Sequence, residues 1–241
     1  MVTKTSKTGN RQARAFKSAW VFKKPRLFLR CLLPCMAILM LGSCLGASMD
    51  ITVRENGSGR IVMEYRVSQM LESIGRLDGN KDWPAIPVGR EDFEHSVARI
   101  PGLSLSSFSA REAAAAKPGS AADLVTRAVL DFDDTTALLA FLDRTGSRAS
   151  LVQENGKNTM RLVLVEPGQQ IRDEQLLSLM QEVSSGYEIS ITVNAPKNVA
   201  LAVLPQPVSQ ARTGGNGRTA SFAAGTGDLP GLSELALEFS W

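Results

Sequence analysis

The side chains with the most chemical reach in this chain are three cysteines, Cys31, Cys35 and Cys44, and a single histidine, His95. Cys44 closes the run Leu41-Gly42-Ser43-Cys44, in which a large aliphatic residue and two small ones would let a signal peptidase reach the bond before the thiol. Upstream lie nine basic residues (Lys4, Lys7, Arg11, Arg14, Lys17, Lys23, Lys24, Arg26 and Arg30) and then the apolar stretch CLLPCMAILML over 31–41. That stretch suits an export signal and falls well short of the ~20 apolar residues that cross a bilayer. Basic segment, apolar segment, small residues and cysteine follow the order of a bacterial lipoprotein signal. The expected chemistry is acylation: Cys44 Sγ takes a diacylglyceryl group, and the amine freed by cleavage can take a further acyl chain such as palmitate. Two or three chains would hold persistently, since each buried CH₂ contributes ~0.8 kcal/mol. The competing reading is an ordinary secretory signal cut at Ala47, or a short anchor left uncut. The expected division is a signal peptide at 1–43, an acylated tether at 44–48 and an envelope domain at 49–241.

That division changes the charge and removes much chemistry. Nine of the 27 basic residues fall in the signal, leaving 18 against all 24 acids, a formal charge of −6 in place of +3. A chain with that balance lacks the Lys/Arg footprint of a nucleic-acid binder, and no nucleic-acid partner is expected. Cys31 and Cys35 leave with the signal, so the mature domain keeps no thiol except Cys44. A disulfide framework, a cysteine zinc site and a cysteine nucleophile are excluded on that count. His95 lies two residues from Phe93, about 200° around a helix from it, and so falls off the apolar face as a solvated residue. One histidine gives Ser/His/Asp chemistry no choice of base and rules out a histidine-rich metal site. Neither metal nor cofactor is expected.

The remaining temptation is Ala128-Val129-Leu130-Asp131-Phe132-Asp133-Asp134-Thr135. A strand running into Asp-x-Asp-x-Thr resembles the haloacid-dehalogenase-type phosphotransferases, and that resemblance would make Asp131 the nucleophile and Asp133 the acid/base. The chain departs from the pattern where Asp134 replaces a glycine. The adjacent acids downstream, Asp173-Glu174, fall at a helix start and not at a strand end, where they would hold Mg²⁺. The preferred reading is a strand end whose acids cap the next helix.

The elements that must position these residues are legible from periodicity. Met49, Ile51 and Val53 alternate with polar residues, Asn56-Gly57-Ser58-Gly59 turns, and Ile61, Met63, Tyr65 and Val67 alternate again, which predicts a hairpin. Ser68 is read as the cap of a helix carrying Met70, Leu71, Ile74 and Leu77, and 90–100 as a second helix with Phe93, Val97 and Ile100 on one face. A strand from Leu103, a low-complexity loop at 113–122, a strand at 125–132 and a helix capped by Asp133 or Asp134 follow. Next come a hairpin around Asn155-Gly156-Lys157, a helix capped by Asp173 and a strand with Ile189, Ile191 and Val193. Short strands near 199–204 and 219–223, a mobile loop at 213–218 and a closing strand with Leu235, Leu237, Phe239 and Trp241 complete the chain. Terminal Trp241 resembles the closing aromatic of an outer-membrane barrel, yet several amphipathic helices argue against one, and Trp241 is read as core. The expected fold class is α+β: a mainly antiparallel sheet with helices packed on one side, after the N-terminal lipoprotein signal segment.

The lipobox cysteine, the hairpin MDITVRENGSGRIVMEYRVS, the segment LDFDDTTALLAFL and the closing LALEFSW together resemble the LppM-type domain of bacterial envelope lipoproteins, over about 49–241. The resemblance implies an envelope lipoprotein with a lipid-binding role. The chain departs from that family's common form in having no C-terminal membrane span, which would leave the acyl group on Cys44 as the anchor. A second feature bears on a ligand: Trp83-Pro84-Ala85-Ile86-Pro87-Val88 is an apolar, proline-stiffened loop of the kind that roofs a pocket or meets a membrane. Trp83, Ile86 and Val88 are therefore the candidate ligand-binding residues, with packing of Trp83 onto the core as the plain alternative. The expectation is a non-enzymatic lipoprotein, lipid-anchored on the extracytoplasmic side of the cell envelope, binding lipid or another envelope component. The alternative is a structural lipoprotein that binds an envelope or host protein.

Overall fold

Strand β1 (Leu45–Val53) and strand β2 (Gly59–Ser68) form the expected hairpin, with an unbroken antiparallel ladder from Leu45 opposite Val67 to Val53 opposite Gly59. Glycine is required at position 59, because a Cβ there would collide with the Thr52 carbonyl oxygen and with Phe132 Cζ. The computed structural model describes residues 45–68, 89–115, 122–143, 145–168, 171–205 and 212–241.

Helix α1 (Arg90–Val97) then leads to strands β3 (Leu103–Ala113) and β4 (Asp123–Phe132), and helix α2 (Thr135–Leu142) follows at once. Strands β5 (Ala149–Glu154) and β6 (Lys157–Val165) make the second hairpin. Its turn is Asn155-Gly156 with φ of 52° and 75°, the two left-handed residues that a tight hairpin of this twist requires. Helix α3 (Glu174–Ser184) precedes β7 (Glu188–Asn194), β8 (Ala200–Leu204), β9 (Arg212–Thr213), β10 (Thr219–Gly225) and β11 (Leu235–Ser240).

The strands sort into two open sheets. One has seven strands in the order β3-β4-β2-β1-β7-β10-β9, and the other four in the order β5-β6-β11-β8. Among the described residues every pairing is antiparallel except β1 with β7, which run parallel with Ala47 opposite Ile189 and Ile51 opposite Val193. Strand β1 thus sits at the middle of the larger sheet, held by a local hairpin on one side and by a segment far along the chain on the other.

Alternation along these strands makes one core from both sheets. Ile51, Ile61, Leu130, Phe132, Val193 and Phe222 come from the larger sheet, and Met160, Leu237 and Phe239 from the smaller, each between 0% and 1% exposed. Full burial of such a side chain contributes about 1.5–3 kcal/mol, so this shared core is the main source of stability. Ala137 and Leu138 of α2 enter it too. A second cluster gathers Tyr65, Val67 and Ala128 under Phe93 of α1, whose ring stacks on Tyr65 at 6.2 Å and tilts against Phe108 at 5.6 Å.

The expected fold class needs correction in its proportions. The described residues are mostly in strands and few are in helices, and the strands build two sheets where one was expected. Alternation reveals which side of a strand is apolar but not which sheet receives it. Residues 45–48, expected as part of a tether, form the first half of β1, where backbone pairing with 64–67 continues the ladder. The loop at 213–218, read as mobile, is bonded: Thr213 pairs with Ala220, and Gly217 and Arg218 accept backbone bonds from Val199 and Ala195 at 2.8 and 2.9 Å. Trp241 is a core residue, as read, exchanging backbone bonds with Asn158 at 2.8 and 2.9 Å.

Candidate functional site

The two faces of the seven-stranded sheet differ in chemistry. Residues of one parity face the shared core, and those of the other include most of the sheet's charged groups, among them Arg60, Glu64, Arg66 and Asp131. Both carboxylates of interest on β4, Asp123 and Asp131, have the outward parity, at opposite ends of the strand.

At the far end, Asp131 stands opposite Arg60 in the ladder and takes a bidentate bond from its guanidinium, Nε to Oδ1 at 2.8 Å and Nη2 to Oδ2 at 3.3 Å. A bulge in β3 between Leu105 and Ser107 turns the Ser106 hydroxyl onto Asp131 Oδ2. Arg60 foremost, and Ser106 after it, hold the Asp131 carboxyl below the usual carboxylate range. A carboxylate so engaged is a poor nucleophile. Its neighbours have structural work: Asp134 Oδ1 accepts from Ala137 N at 2.8 Å as the N-cap of α2, and the exposed Asp133 donates its backbone N–H to Gly102 O at 2.8 Å. Among the described residues, no group of three or more His, Cys, Asp or Glu is placed to hold a metal ion.

At the near end, Asp123 is fully buried. A buried carboxylate is costly unless bonded and paired, and this one accepts from the Tyr187 hydroxyl at 3.0 Å and faces Arg66 Nε at 3.5 Å. Tyr187 is brought there by the exit from α3. Asp173 Oδ1 caps that helix by accepting from Gln175 N and Leu176 N at 3.0 and 2.9 Å. At its other end Gly186 takes φ of 90° to turn the chain back toward β7. The Tyr187 backbone is then fixed, donating to Ser184 O at 3.1 Å and accepting from Thr226 N at 3.1 Å and Thr226 Oγ1 at 3.2 Å.

Between these groups lies an open groove of about 330 Å³, lined by Gly46, Ala47, Ser48, Glu64, Arg66, Gly186, Tyr187, Glu188 and Ser190. Register explains its form. Gly46 lies between Arg66 on β2 and Glu188 on β7, and the next outward row is Glu64, Ser48 and Ser190. A methyl at Gly46 would stand 3.4 Å from the Glu188 carbonyl oxygen and 3.5 Å from Tyr187 Cδ1, so the glycine leaves a floor between a guanidinium and a carboxylate. Strands are about 4.8 Å apart, which puts the backbones bearing Arg66 and Glu188 about 10 Å from each other. That spacing suits a polar group with opposite charges at its two ends. The hydroxyls of Ser48 and Ser190 lie on the outer face, whereas His95 is exposed on α1, which packs on the inner face, so the histidine is not brought to the groove.

The residues chosen from sequence as ligand-binding, Trp83, Ile86 and Val88, and the lipidation residue Cys44, lie outside the described residues, as does the helix read at 68–77 beyond Ser68. The groove was not anticipated. Its one sequence signal was the outward series Glu64 and Arg66 within an otherwise apolar-alternating strand, while its other wall comes from β7, more than 120 positions away. No protein-family model matches this chain, and no curated protein matches it in sequence.

Proposed function

We propose that this chain is a lipid-anchored protein of the bacterial cell envelope that works by binding and not by catalysis, and that its ligand is the polar, zwitterionic part of an envelope lipid. The observation that carries the ligand class is Arg66 and Glu188 facing each other across Gly46, with Ser48, Ser190 and Glu64 as further polar contacts. A groove so lined discriminates by head group, because burying a charge without a partner costs more than burying it with one. The likeness to LppM-type lipoproteins and the lipobox ending at Cys44 support the envelope setting and the anchor. No helix among the described residues is long and apolar enough to cross a membrane, which leaves room for an acyl anchor in this reading without itself requiring one. In the same reading the helices gather on the inner side of the larger sheet and leave the groove face open.

The test is mass spectrometry of lipids retained by the full chain purified in mild detergent. Enrichment of phosphatidylethanolamine over phosphatidylglycerol, reduced several-fold by Glu188→Gln, is expected. Equal retention of both lipids by the wild type and the variant would refute the ligand assignment.

A second reading, an interaction protein, is favoured by β3, an 11-residue strand at the edge of the larger sheet among the described residues. An edge of that length is a template for an added strand. Co-purification of a stoichiometric protein that is lost when a proline replaces Ser109 in β3 would favour it.

A further inference from the structure

The strand that follows Cys44 has no spacer. β1 begins at Leu45 and is the central strand of the larger sheet, paired along its whole length to β2 and from Ala47 onward to β7. One peptide unit, 3.8 Å from Cα to Cα, therefore separates the anchored residue from the middle of a rigid sheet. An acylated cysteine sits with its sulfur at the level of the lipid glycerol groups. The sheet end at Leu45 is then held within a few residues' reach of the head groups, which limits how far the domain can turn away.

We infer that the domain docks on its own bilayer in one orientation, with the Leu45 end of the seven-stranded sheet down and the β1–β2 turn up. The inference rests on the acylation of Cys44 proposed above. Antiparallel pairing specifies what comes to that end: the last residues of β2 and β3, the first of β4, and the Tyr187–Glu188 start of β7. The groove opens there, so its Arg66 and Glu188 stand in the head-group layer, where a zwitterionic head group is at high local concentration. The opposite end is remote. Nine residues of β1 at about 3.3 Å each put the turn at Arg54–Ser58 roughly 30 Å from the anchor.

That end carries both signs of charge, with Arg66 and Arg111 beside Glu112 and Glu188, so it is not a basic patch that would hold an anionic leaflet by itself. Orientation is set by the covalent link and its shortness and not by inserted side chains. This separates the device from a domain on a flexible stalk, whose faces would sample the membrane equally.

The mature chain keeps no thiol apart from Cys44, so an introduced cysteine is a unique labelling site. Full chain bearing a fluorophore on Ala114→Cys, at the membrane end, or on Glu55→Cys, at the turn, is reconstituted in vesicles of phosphatidylethanolamine and phosphatidylglycerol that carry a head-group quencher. Both sites are exposed. Quenching several-fold greater at 114 than at 55 is expected. A Gly/Ser insert of ~15 residues between Cys44 and Leu45, with a root-mean-square span of ~20 Å, should abolish the difference. Mass spectrometry of the N-terminal peptide separates the two ways to fail. A chain without acyl groups on Cys44 brings down both the anchor and the docking, whereas an acylated chain quenched equally at both sites, or unaffected by the insert, brings down the docking alone.

Discussion

Asp123 and Asp131 are eight residues apart on one strand, point to the same face of one sheet and each meet an arginine of β2, yet their surroundings give them different roles. Asp131 sits where solvent reaches both partners: its side chain is 31% exposed and that of Arg60 50%. Asp123 is at 0%, and the Tyr187 hydroxyl joins β4 to the start of β7 through it. Sequence drew attention to Asp131, because the string Asp-Phe-Asp-Asp-Thr has the look of chemistry. Structure draws attention to Asp123, whose sequence neighbourhood is unremarked. Exposure screens an ion pair until little remains, whereas burial makes each lost partner costly.

The sharpest way to break this contrast is to remove the buried carboxylate. Asp123→Ala leaves the Tyr187 hydroxyl without that acceptor and Arg66 without its countercharge, and the expected loss is about 3 kcal/mol in a urea titration. A loss within error of zero would mean that Asp123 is not the joint described. Tyr187→Phe deletes only the hydroxyl that donates to a buried carboxylate, for which about 1.5–3 kcal/mol is expected, at or below the value for Asp123→Ala. Because the two side chains share one bond, the double variant should lose less than the sum of the singles.

Smaller effects belong to the acidic run at the far end. Asp134→Ala removes the N-cap of α2 and should cost about 1 kcal/mol, readable as a lower unfolding midpoint. Asp131→Asn should be the mildest, shifting the thermal midpoint by no more than about 2 °C at neutral pH. Its sign with pH is fixed. The folded-state carboxyl is held below its ordinary range, so the Arg60 contact stabilises the fold above the unfolded value of about 3.9 and fades as pH falls through the lower folded-state value. The midpoints of wild type and Asp131→Asn should therefore converge below about pH 4, and a gap that widens there would contradict the ion-pair assignment. If phosphoryl chemistry were the role of Asp131, purified chain would show Mg²⁺-dependent turnover of a phosphate ester, abolished in Asp131→Asn; none is expected.

The residues show how far local pattern carries. Both hairpins were legible because Asn-Gly and Gly-rich turns between alternating strands have few other conformations, and the caps at Asp134 and Asp173 were legible because a short carboxylate before an apolar helix has one favourable place to bond. The strand at 235–240 and the burial of Trp241 followed from period two alone. The groove was illegible for a matching reason. Arg66 and Glu188 are each ordinary outward residues of a strand, and nothing local says that β1 will take β7 as a parallel neighbour and set them on either side of Gly46.

Sequence by itself determined that all three thiols and nine of the basic residues precede residue 45, and it determined the turns, the caps and the alternation that divides inner from outer residues. Those are properties of composition and of contacts within a few positions, where chain connectivity holds the partners together. Tertiary structure alone decided that the strands form two sheets, that β1 becomes the central strand of the larger one, and that Asp123, Tyr187 and Arg66 meet at the Leu45 end of that sheet. Each of those outcomes pairs residues separated by tens of positions, and such pairs are selected by which complete set of apolar faces can be buried at once, a property no local window contains.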